Sequence, residues 1–209
     1  MNAEPFGGVP YVGALFDSAS GKPTTHFATA FVVTSKQGNM LMSAAHVLEG
    51  RTATSIIFAP GYTNGQAVHE LWPIQKAYTD AAWQQQRSVN DDFCFLKVSA
   101  NVQATLGSLG LATATNPQEC QVIGYPDGLT GPVQATVAAT WYKPEQQLTF
   151  SCNGFPNGTS GSPWIINDGA AFGLIGGFEA GGNSPAVSYS PYFGASLQAL
   201  YATASQAFL

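Results

Sequence analysis

The sequence predicts an all-β protein, built as two antiparallel six-stranded β-barrels followed by a C-terminal α-helix. Short runs rich in Val, Ile, Phe, Thr and Tyr recur along the chain, and turn-forming Gly, Pro and Asn separate them. No amphipathic helix of ten residues lies between successive runs, which argues against a parallel α/β sheet. Only the last segment has a helical spacing of apolar residues, so the single predicted helix is placed there.

The predicted strands form two clusters. Two six-stranded units of about 100 residues each fit the number of runs, and barrel closure would remove exposed sheet edges. The stretch Leu106–Gln118 has few large apolar residues and is predicted to connect the clusters. We therefore assign residues 1–110 to an N-terminal barrel and residues 119–209 to a C-terminal barrel with the helix. The predicted strands are Val9–Phe16, Phe27–Thr34, Asn39–Ser43, Thr54–Ala59, Phe93–Val98, Cys120–Tyr125, Val133–Tyr142, Gln147–Cys152, Ser162–Ile166, Ala171–Phe178 and Ala186–Phe193.

The C-terminal helix is predicted from one apolar face. Leu197, Leu200, Tyr201, Ala204 and Phe208 follow the spacing of three, four and seven residues that places side chains on the same side of a helix. We interpret this face as packing against the body of the protein rather than as a membrane anchor.

Composition excludes several classes of function. The 209 residues carry a net charge of −5, and the seven basic residues are too few for a nucleic-acid-binding surface. Aromatic residues make up 12% and apolar residues 45% of the chain, which excludes a disordered acidic tail. No apolar run approaches the roughly 18–20 residues of a membrane span. The sequence thus predicts a soluble globular protein that binds neither nucleic acid nor membrane.

Three short strings contain residue types that suit nucleophilic catalysis. Ser43–Val47 places His46 at the end of a strand, Asp91–Val98 places an acid before an apolar strand, and Asn157–Trp164 places Ser160 between glycines. A serine hydroxyl needs a base to take its proton, and a buried carboxylate can orient a histidine for this purpose. Asp92 is preferred over Asp91 because it directly precedes the apolar run.

The order of these residues along the chain separates the known hydrolase scaffolds. An α/β-hydrolase places its histidine after the nucleophile, but all three histidines precede Ser160. A subtilisin order could be built with Asp17, but that fold needs a parallel sheet. The order His46, Asp92, Ser160 is that of chymotrypsin, and it alone agrees with an all-β architecture.

The strings resemble those of chymotrypsin-like serine proteases, and most of all those of microbial trypsin-like and glutamyl endopeptidases. Residues 43–46 (Ser-Ala-Ala-His), 92–96 (Asp-Phe-Cys-Phe-Leu) and 158–163 (Gly-Thr-Ser-Gly-Ser-Pro) are similar to the three motifs of that family. The resemblance implies a chymotrypsin fold with a cleft between the barrels. It implies that His46 is the base, Asp92 its orienting partner and Ser160 the nucleophile. The amides of Gly158 and Ser160 would form the oxyanion hole, and the substrate would be a protein or peptide, with no cofactor.

The same resemblance implies where the specificity pocket lies. Gly154 stands where trypsins have the Asp that receives Arg or Lys, and the strand at residues 176–180 lacks the His of glutamyl endopeptidases. We therefore expect an apolar or uncharged side chain at P1, the substrate residue whose carbonyl is attacked. A basic preference remains open if Glu179 points into the pocket. The candidate substrate-binding residues are Gly154, Phe155, Asn157, Gly177, Phe178 and Glu179.

Other expectations concern partners and location. A catalytically silent binding module on the same scaffold is the alternative to an active endopeptidase, but all three residue types of the triad are present. The metal-ligand spacings that zinc sites use do not occur in the sequence, so no metal is expected. Relatives have a disulfide where this chain has Ala28 and Val47, and whether Cys120 pairs with Cys152 stays open. Residues 1–5 do not resemble a signal peptide. We interpret the chain as a secreted monomer that lacks its signal or pro-segment, with a cytosolic protein as the alternative.

Overall fold

The computed structural model of the chain describes residues 1–19, 22–113, 116, 118–166 and 169–207. Its described part is an all-β fold with a C-terminal helix, as predicted. The strands are β1 (Glu4–Pro5), β2 (Val12–Ala19), β3 (Lys22–Val33), β4 (Met40–Ser43), β5 (Ile56–Pro60), β6 (Trp72–Pro73), β7 (Lys76–Thr79), β8 (Cys94–Lys97), β9 (Gly110–Leu111), β10 (Glu119–Gly124), β11 (Val133–Ala138), β12 (Thr140–Tyr142), β13 (Gln147–Ser151), β14 (Pro163–Ile166), β15 (Ala170–Leu174) and β16 (Val187–Ser190). The α-helices are α1 (Ala81–Gln86), α2 (Val102–Leu106) and α3 (Ala195–Gln206).

The first half of the chain forms a seven-stranded antiparallel sheet in the order β6-β5-β2-β3-β4-β8-β7. Strands β2, β3, β4 and β8 form its centre, where their apolar side chains are buried. Strand β4 pairs with β8 so that Ser43 lies opposite Cys94. This register brings the residues that follow β4 close to the residues that precede β8.

The second half forms two sheets. A six-stranded sheet has the order β1-β11-β10-β14-β15-β9, and a three-stranded sheet has the order β12-β13-β16. The buried rings of Phe150, Trp164 and Phe172 pack between these strands, with centroids of neighbouring rings 4.8 and 6.3 Å apart. The long loop between β13 and β14 carries the predicted nucleophile.

Both ends of the chain cross to the opposite half. Strand β1 pairs with β11 of the second half, and helix α3 packs against the first half. The Tyr201 ring lies 5.7 Å from the Phe95 ring, and its hydroxyl donates to Thr34 O at 2.8 Å. Strand β9 pairs with β15 in parallel, which departs from a purely antiparallel pattern. The division of the chain at residues 110 and 119 stays a prediction.

The sequence did not indicate β1, β6, β7, β9, α1 and α2, and β9 lies within the predicted connector Leu106–Gln118. Strand β6 has two residues and ends in a proline at the sheet edge, and β7 has no continuous apolar pattern, so neither resembles a strand locally. Helix α1 has six residues and depends on its N-cap, where the Ala82 amide donates to Asp80 Oδ1 at 2.7 Å. Elements this short are stabilised by their neighbours rather than by their own sequence. The predicted strand Val133–Tyr142 is divided between β11 and β12 at Ala139.

Helix α3 buries the predicted apolar face. Leu197, Leu200 and Ala204 are buried, Tyr201 is half-buried, and Phe208 lies outside the described residues. At the end of the helix, the Lys97 ammonium from β8 donates to the carbonyl of Ala207. A cation at a helix C-terminus is favourable. Burial nevertheless lowers the pKa of Lys97, and the positive charge of Lys76 lowers it further.

Within the residues that the structure describes, no helix is long and apolar enough to cross a membrane.

Candidate active site

Three side chains from distant parts of the chain meet at one place. His46 Nδ1 lies 2.7 Å from Asp92 Oδ2, and His46 Nε2 lies 2.8 Å from Ser160 Oγ. Asp92 is buried, whereas His46 and Ser160 are partly exposed. The acid, the imidazole and the hydroxyl therefore form a linear series of hydrogen bonds that ends at the protein surface.

Asp92 is held by three N–H groups. The backbone amide of His46 donates to Oδ1 at 2.8 Å, and Oδ2 accepts both the His46 ring and the Gly177 amide at 2.7 and 2.8 Å. These donors offset the cost of burying an ionised carboxylate. An ionised carboxylate can only accept hydrogen bonds, so the hydrogen-bond network assigns the proton of the neutral ring to Nδ1. The Nε2 atom is then left to accept the Ser160 hydroxyl.

Local structure explains this placement. His46 lies in a 3₁₀ turn, Ala45–Leu48, that begins directly after β4, and Asp92 ends a second 3₁₀ turn just before β8. Because β4 and β8 are paired, the two turns lie side by side. Asp91, the competing acid in the sequence, accepts instead from Ser88 Oγ at 2.6 Å.

The amides of Gly158 and Ser160 are available for binding. Within the described residues neither N–H has an acceptor, whereas the amide between them, that of Thr159, donates to Pro156 O. Gly158 has a φ of +90°, and a Cβ there would lie 2.3 Å from the Asp127 nitrogen. Only glycine fits this position. The serine, the histidine and the two residues with unpaired amides thus line the same cleft.

The histidine and serine line an open cleft of about 630 Å³. Of the six predicted substrate-binding residues, three line it, namely Phe155, Asn157 and Glu179. Residues missed by the sequence analysis also line the cleft: Phe27, Val47, Arg51, Pro156, Ile175 and Ala180, together with residues 183–185. Phe27 comes from strand β3 and the other residues come from separate turns and loops, and no local motif marks them.

The other three predicted binding residues lie outside this lining. Gly154 packs against Ala3 near the N-terminus, and the amide of Gly177 points at Asp92. The Phe178 ring packs against Tyr142 and Tyr189, with ring centroids 5.3 and 5.2 Å away. Their direct role in binding stays a prediction.

One wall of the cleft has an unusual backbone. Glu179 and Ala180 have φ values of +52° and +54°, and Gly181 and Gly182 that follow also have positive φ. Non-glycine residues in this region cost about 1–2 kcal/mol each, and such strain is often found at functional sites. Two backbone hydrogen bonds, Ala180 N to Gly177 O and Gly182 N to Glu179 O, hold this tight turn.

An ion pair lies near the two positions, Ala28 and Val47, at which relatives have a disulfide. Ala28 and Val47 are both buried in the first core. Arg51 donates to both oxygens of Asp17, at 2.7 and 3.2 Å, and its guanidinium lies 3.7 Å from the Phe27 ring centroid. Packing and this ion pair therefore connect the His46 turn to strands β2 and β3 without a covalent bond.

The cysteines are poor candidates for the nucleophile. Cys94, Cys120 and Cys152 are all free and buried. Burial raises the pKa of all three thiols, that of Cys120 to about 12, and the negative charge of Asp92 adds to the effect at Cys94. A neutral, buried thiol is a weak nucleophile. In the described part of the chain, no three His, Cys, Asp or Glu side chains are arranged to hold a metal ion.

A family model, the trypsin-like peptidase domain, matches residues 28–174, which is more than half of the chain. The chain belongs to the trypsin-like peptidase family. It is accordingly a serine endopeptidase, and proteins or peptides are its substrates. No curated protein sequence gives a significant match.

Solved structures of peptidases have the same fold. The chain is similar to the protease Anisep from Arthrobacter nicotinovorans, with 25% identity, a TM-score of 0.84 and coverage of 99% of this chain and 100% of that one. A thermostable serine protease from an extremophilic microorganism has 24% identity and a TM-score of 0.80, covering 95% and 98% of the two chains. A Glu endopeptidase has 15% identity and a TM-score of 0.77, covering 99% and 97%. The predicted chymotrypsin-like two-barrel fold class is thus confirmed.

Proposed function

We propose that this trypsin-like peptidase cleaves peptide bonds through a His46–Asp92–Ser160 triad and an acyl-enzyme intermediate. The observation that carries the proposal is the unbroken hydrogen-bond series from Asp92 through His46 to Ser160, with bond lengths of 2.7 and 2.8 Å. These lengths lie within the range in which a base can take a proton from a nucleophile. The series ends in the cleft, where a substrate can reach Ser160.

In the first half of the reaction, Ser160 Oγ attacks the carbonyl carbon of the substrate while its proton passes to His46 Nε2. Asp92 stabilises the imidazolium that forms and keeps its own charge. The substrate carbonyl oxygen becomes negative and is bound by the amides of Gly158 and Ser160. His46 then gives its proton to the leaving amine, the peptide bond breaks, and an ester with Ser160 remains.

In the second half, water takes the place of the amine. His46 removes a proton from this water as it attacks the ester carbonyl, and the same two amides again bind the oxyanion. His46 protonates Ser160 Oγ, the ester bond breaks, and the carboxylic acid product leaves. No cofactor takes part in these steps.

Covalent labelling tests the proposal. Incubation with an organofluorophosphonate or a sulfonyl fluoride is expected to modify one residue, Ser160, as located by peptide mass spectrometry. The reaction requires the serine to be activated by His46 and the oxyanion hole to be formed, so an ordinary surface serine does not react. The matched control is Ser160→Ala, which should stay unlabelled.

A folded wild-type sample that takes up no label and cleaves no peptide would instead favour a binding module on the same scaffold. Labelling at another serine would move the nucleophile to that residue.

We also propose that the cleft accepts an apolar or uncharged P1 side chain. Phe155, Ile175 and Pro185 contribute apolar side chains to a cleft of mixed polarity, and Glu179 is the one carboxylate among the described residues of its lining. Glu179 is largely exposed to solvent, which weakens its attraction for a basic P1 group.

A peptide library varied at P1 checks this preference. Wild type is expected to favour Phe or Leu at P1, and Glu179→Gln is expected to change relative kcat/KM values by less than about 3-fold, because an exposed pair contributes little. Glu119→Gln removes the same charge from a strand outside the cleft and serves as the control. Strong wild-type preference for Arg or Lys, lost only in Glu179→Gln, would contradict the apolar proposal.

We further propose that the protein works as a secreted monomer. Support for the location comes from composition alone, which is low in charge and rich in small polar residues.

A further inference from the structure

We propose that Thr29, in strand β3 of the first half of the chain, positions the two amides that bind the oxyanion. This inference rests on the proposed function, because it assigns Gly158 and Ser160 to the oxyanion hole. Thr29 is completely buried and does not line the cleft. It would therefore act through the loop that carries the nucleophile, as a positioning residue.

Two peptide units fix the direction of the Gly158 amide. The Gly158 N–H shares its peptide unit with the carbonyl of Asn157, and Asn157 O accepts from the Asp127 amide at 2.7 Å. Because N–H and C=O point in opposite directions in a trans peptide, the Gly158 N–H faces the other side. In the unit after it, Gly158 O accepts from Thr29 Oγ1 at 3.1 Å. Glycine at a φ of +90° has no side chain to restrict it, so this second bond limits its rotation.

The Ser160 amide is fixed in the same manner. Thr159 O, in the preceding peptide unit, accepts from the Ser162 amide at 3.0 Å. Ser160 O, in the following unit, accepts from the backbone N–H of Thr29 at 2.9 Å. One residue from the first half thus holds the carbonyl that follows each oxyanion-binding amide.

The direction of the Thr29 hydroxyl is determined by its partners. The Tyr125 amide donates to Oγ1 at 2.9 Å, so the hydroxyl proton is directed to Gly158 O. The Thr29 carbonyl accepts from Ser43 Oγ at 2.7 Å, and Ser43 ends the strand that leads to His46. Thr29 therefore connects the strand that carries the base to the loop that carries the nucleophile.

Thr29→Val tests the inference. Valine keeps the shape and the backbone hydrogen bonds but leaves Gly158 O and the Tyr125 amide without the hydroxyl. Loss of one oxyanion donor lowers kcat by about 10²–10³-fold, and partial misorientation of the Gly158 amide is expected to lower it by roughly 10- to 100-fold. KM should stay within about 3-fold, because the cleft lining is unchanged.

The second readout is a peptide boronic acid, which forms a tetrahedral adduct with the active serine. Its inhibition constant is expected to rise by about the same factor as kcat falls, because the adduct uses the oxyanion hole as the transition state does. Thr29→Ser retains the hydroxyl and should restore both values to within about 3-fold of wild type. Thr29→Ala removes the hydroxyl without placing a methyl group against Gly158 O. If the valine variant does not fold, the alanine variant replaces it, and the same changes in kcat and inhibition constant are expected.

Ser190→Ala is the matched control. Ser190 Oγ is also completely buried, accepts the Leu174 amide and donates to Pro191 O, both at 2.9 Å, but neither hydrogen bond involves the nucleophile loop. This variant should lose stability without a parallel loss in boronic acid binding. Rates are counted per active site, by titration with a fluorophosphonate.

Two results would overturn the inference. One is an unchanged kcat in Thr29→Val or Thr29→Ala. The other is a lower kcat with no change in boronic acid binding, which would indicate general destabilisation. Failure of the proposed function is recognised separately, because then wild type itself would neither cleave peptides nor react with the fluorophosphonate.

Discussion

Replacing Ser160 with alanine is expected to lower kcat for peptide hydrolysis by about 10⁴- to 10⁶-fold, the range found when a triad nucleophile is removed. The hydroxyl is the atom that forms the acyl-enzyme, and no other described hydroxyl bonds to His46 Nε2. The residual rate would come from the two free amides and from substrate binding. The melting temperature should change little, because Ser160 is partly exposed and its hydroxyl bonds to His46 alone among the described residues. Hydrolysis of a chromogenic peptide and thermal unfolding measure the two effects.

Ser55→Ala gives the matched comparison. Its hydroxyl donates to a backbone carbonyl, Thr52 O, at 2.8 Å in an exposed turn, so its removal should leave kcat within about 2-fold of wild type. If Ser160→Ala retained the wild-type rate, Ser160 would not be the nucleophile, and hydrolysis would have to be assigned to another residue or to a contaminant.

The sequence predicted the three triad residues but not the residues that hold them in place. His46, Asp92 and Ser160 are separated by 46 and 68 residues, yet each lies in a string with its own recognisable chemistry, and strand pairing brings two of them together. The Gly177 amide that holds Asp92 has no such signal, because any residue offers a backbone N–H. Thr29 likewise lies in an ordinary strand, and its function emerges only from contacts across the two halves.

The fold was predictable to a similar degree. Apolar runs with β-branched and aromatic residues indicated the central strands, because burial selects those residues whatever the order of the strands. The pairing of β1 with β11 and the packing of α3 on the first half follow from tertiary contacts. A pattern read along one segment carries no information on which distant segment covers it.

Asp92→Asn is expected to lower kcat by about 10⁴-fold while the fold persists. The three N–H groups around this side chain all require acceptors, and asparagine offers one oxygen and one NH₂ group. If the NH₂ group faces the His46 ring, Nδ1 must become the acceptor, and the ring proton moves to Nε2. That nitrogen can then no longer take the Ser160 proton. The kcat of the purified variant, compared with its rate of labelling by a fluorophosphonate, measures this effect, and both should fall together.

Asp91→Asn distinguishes loss of this function from loss of a nearby charge. Asp91 is the adjacent residue and carries the same charge, but its carboxylate bonds to Ser88 Oγ and does not reach the histidine. We expect its kcat to stay within about 3-fold of wild type, since a partly exposed acid that accepts one hydroxyl contributes little to the site. If Asp91→Asn lost activity and Asp92→Asn retained it, the orienting carboxylate would be Asp91, and the 2.7 Å contact between Asp92 and His46 would have no catalytic role. If both variants retained activity, the ring would be oriented by its own turn, and the buried carboxylate would serve only to hold the β4 and β8 turns together.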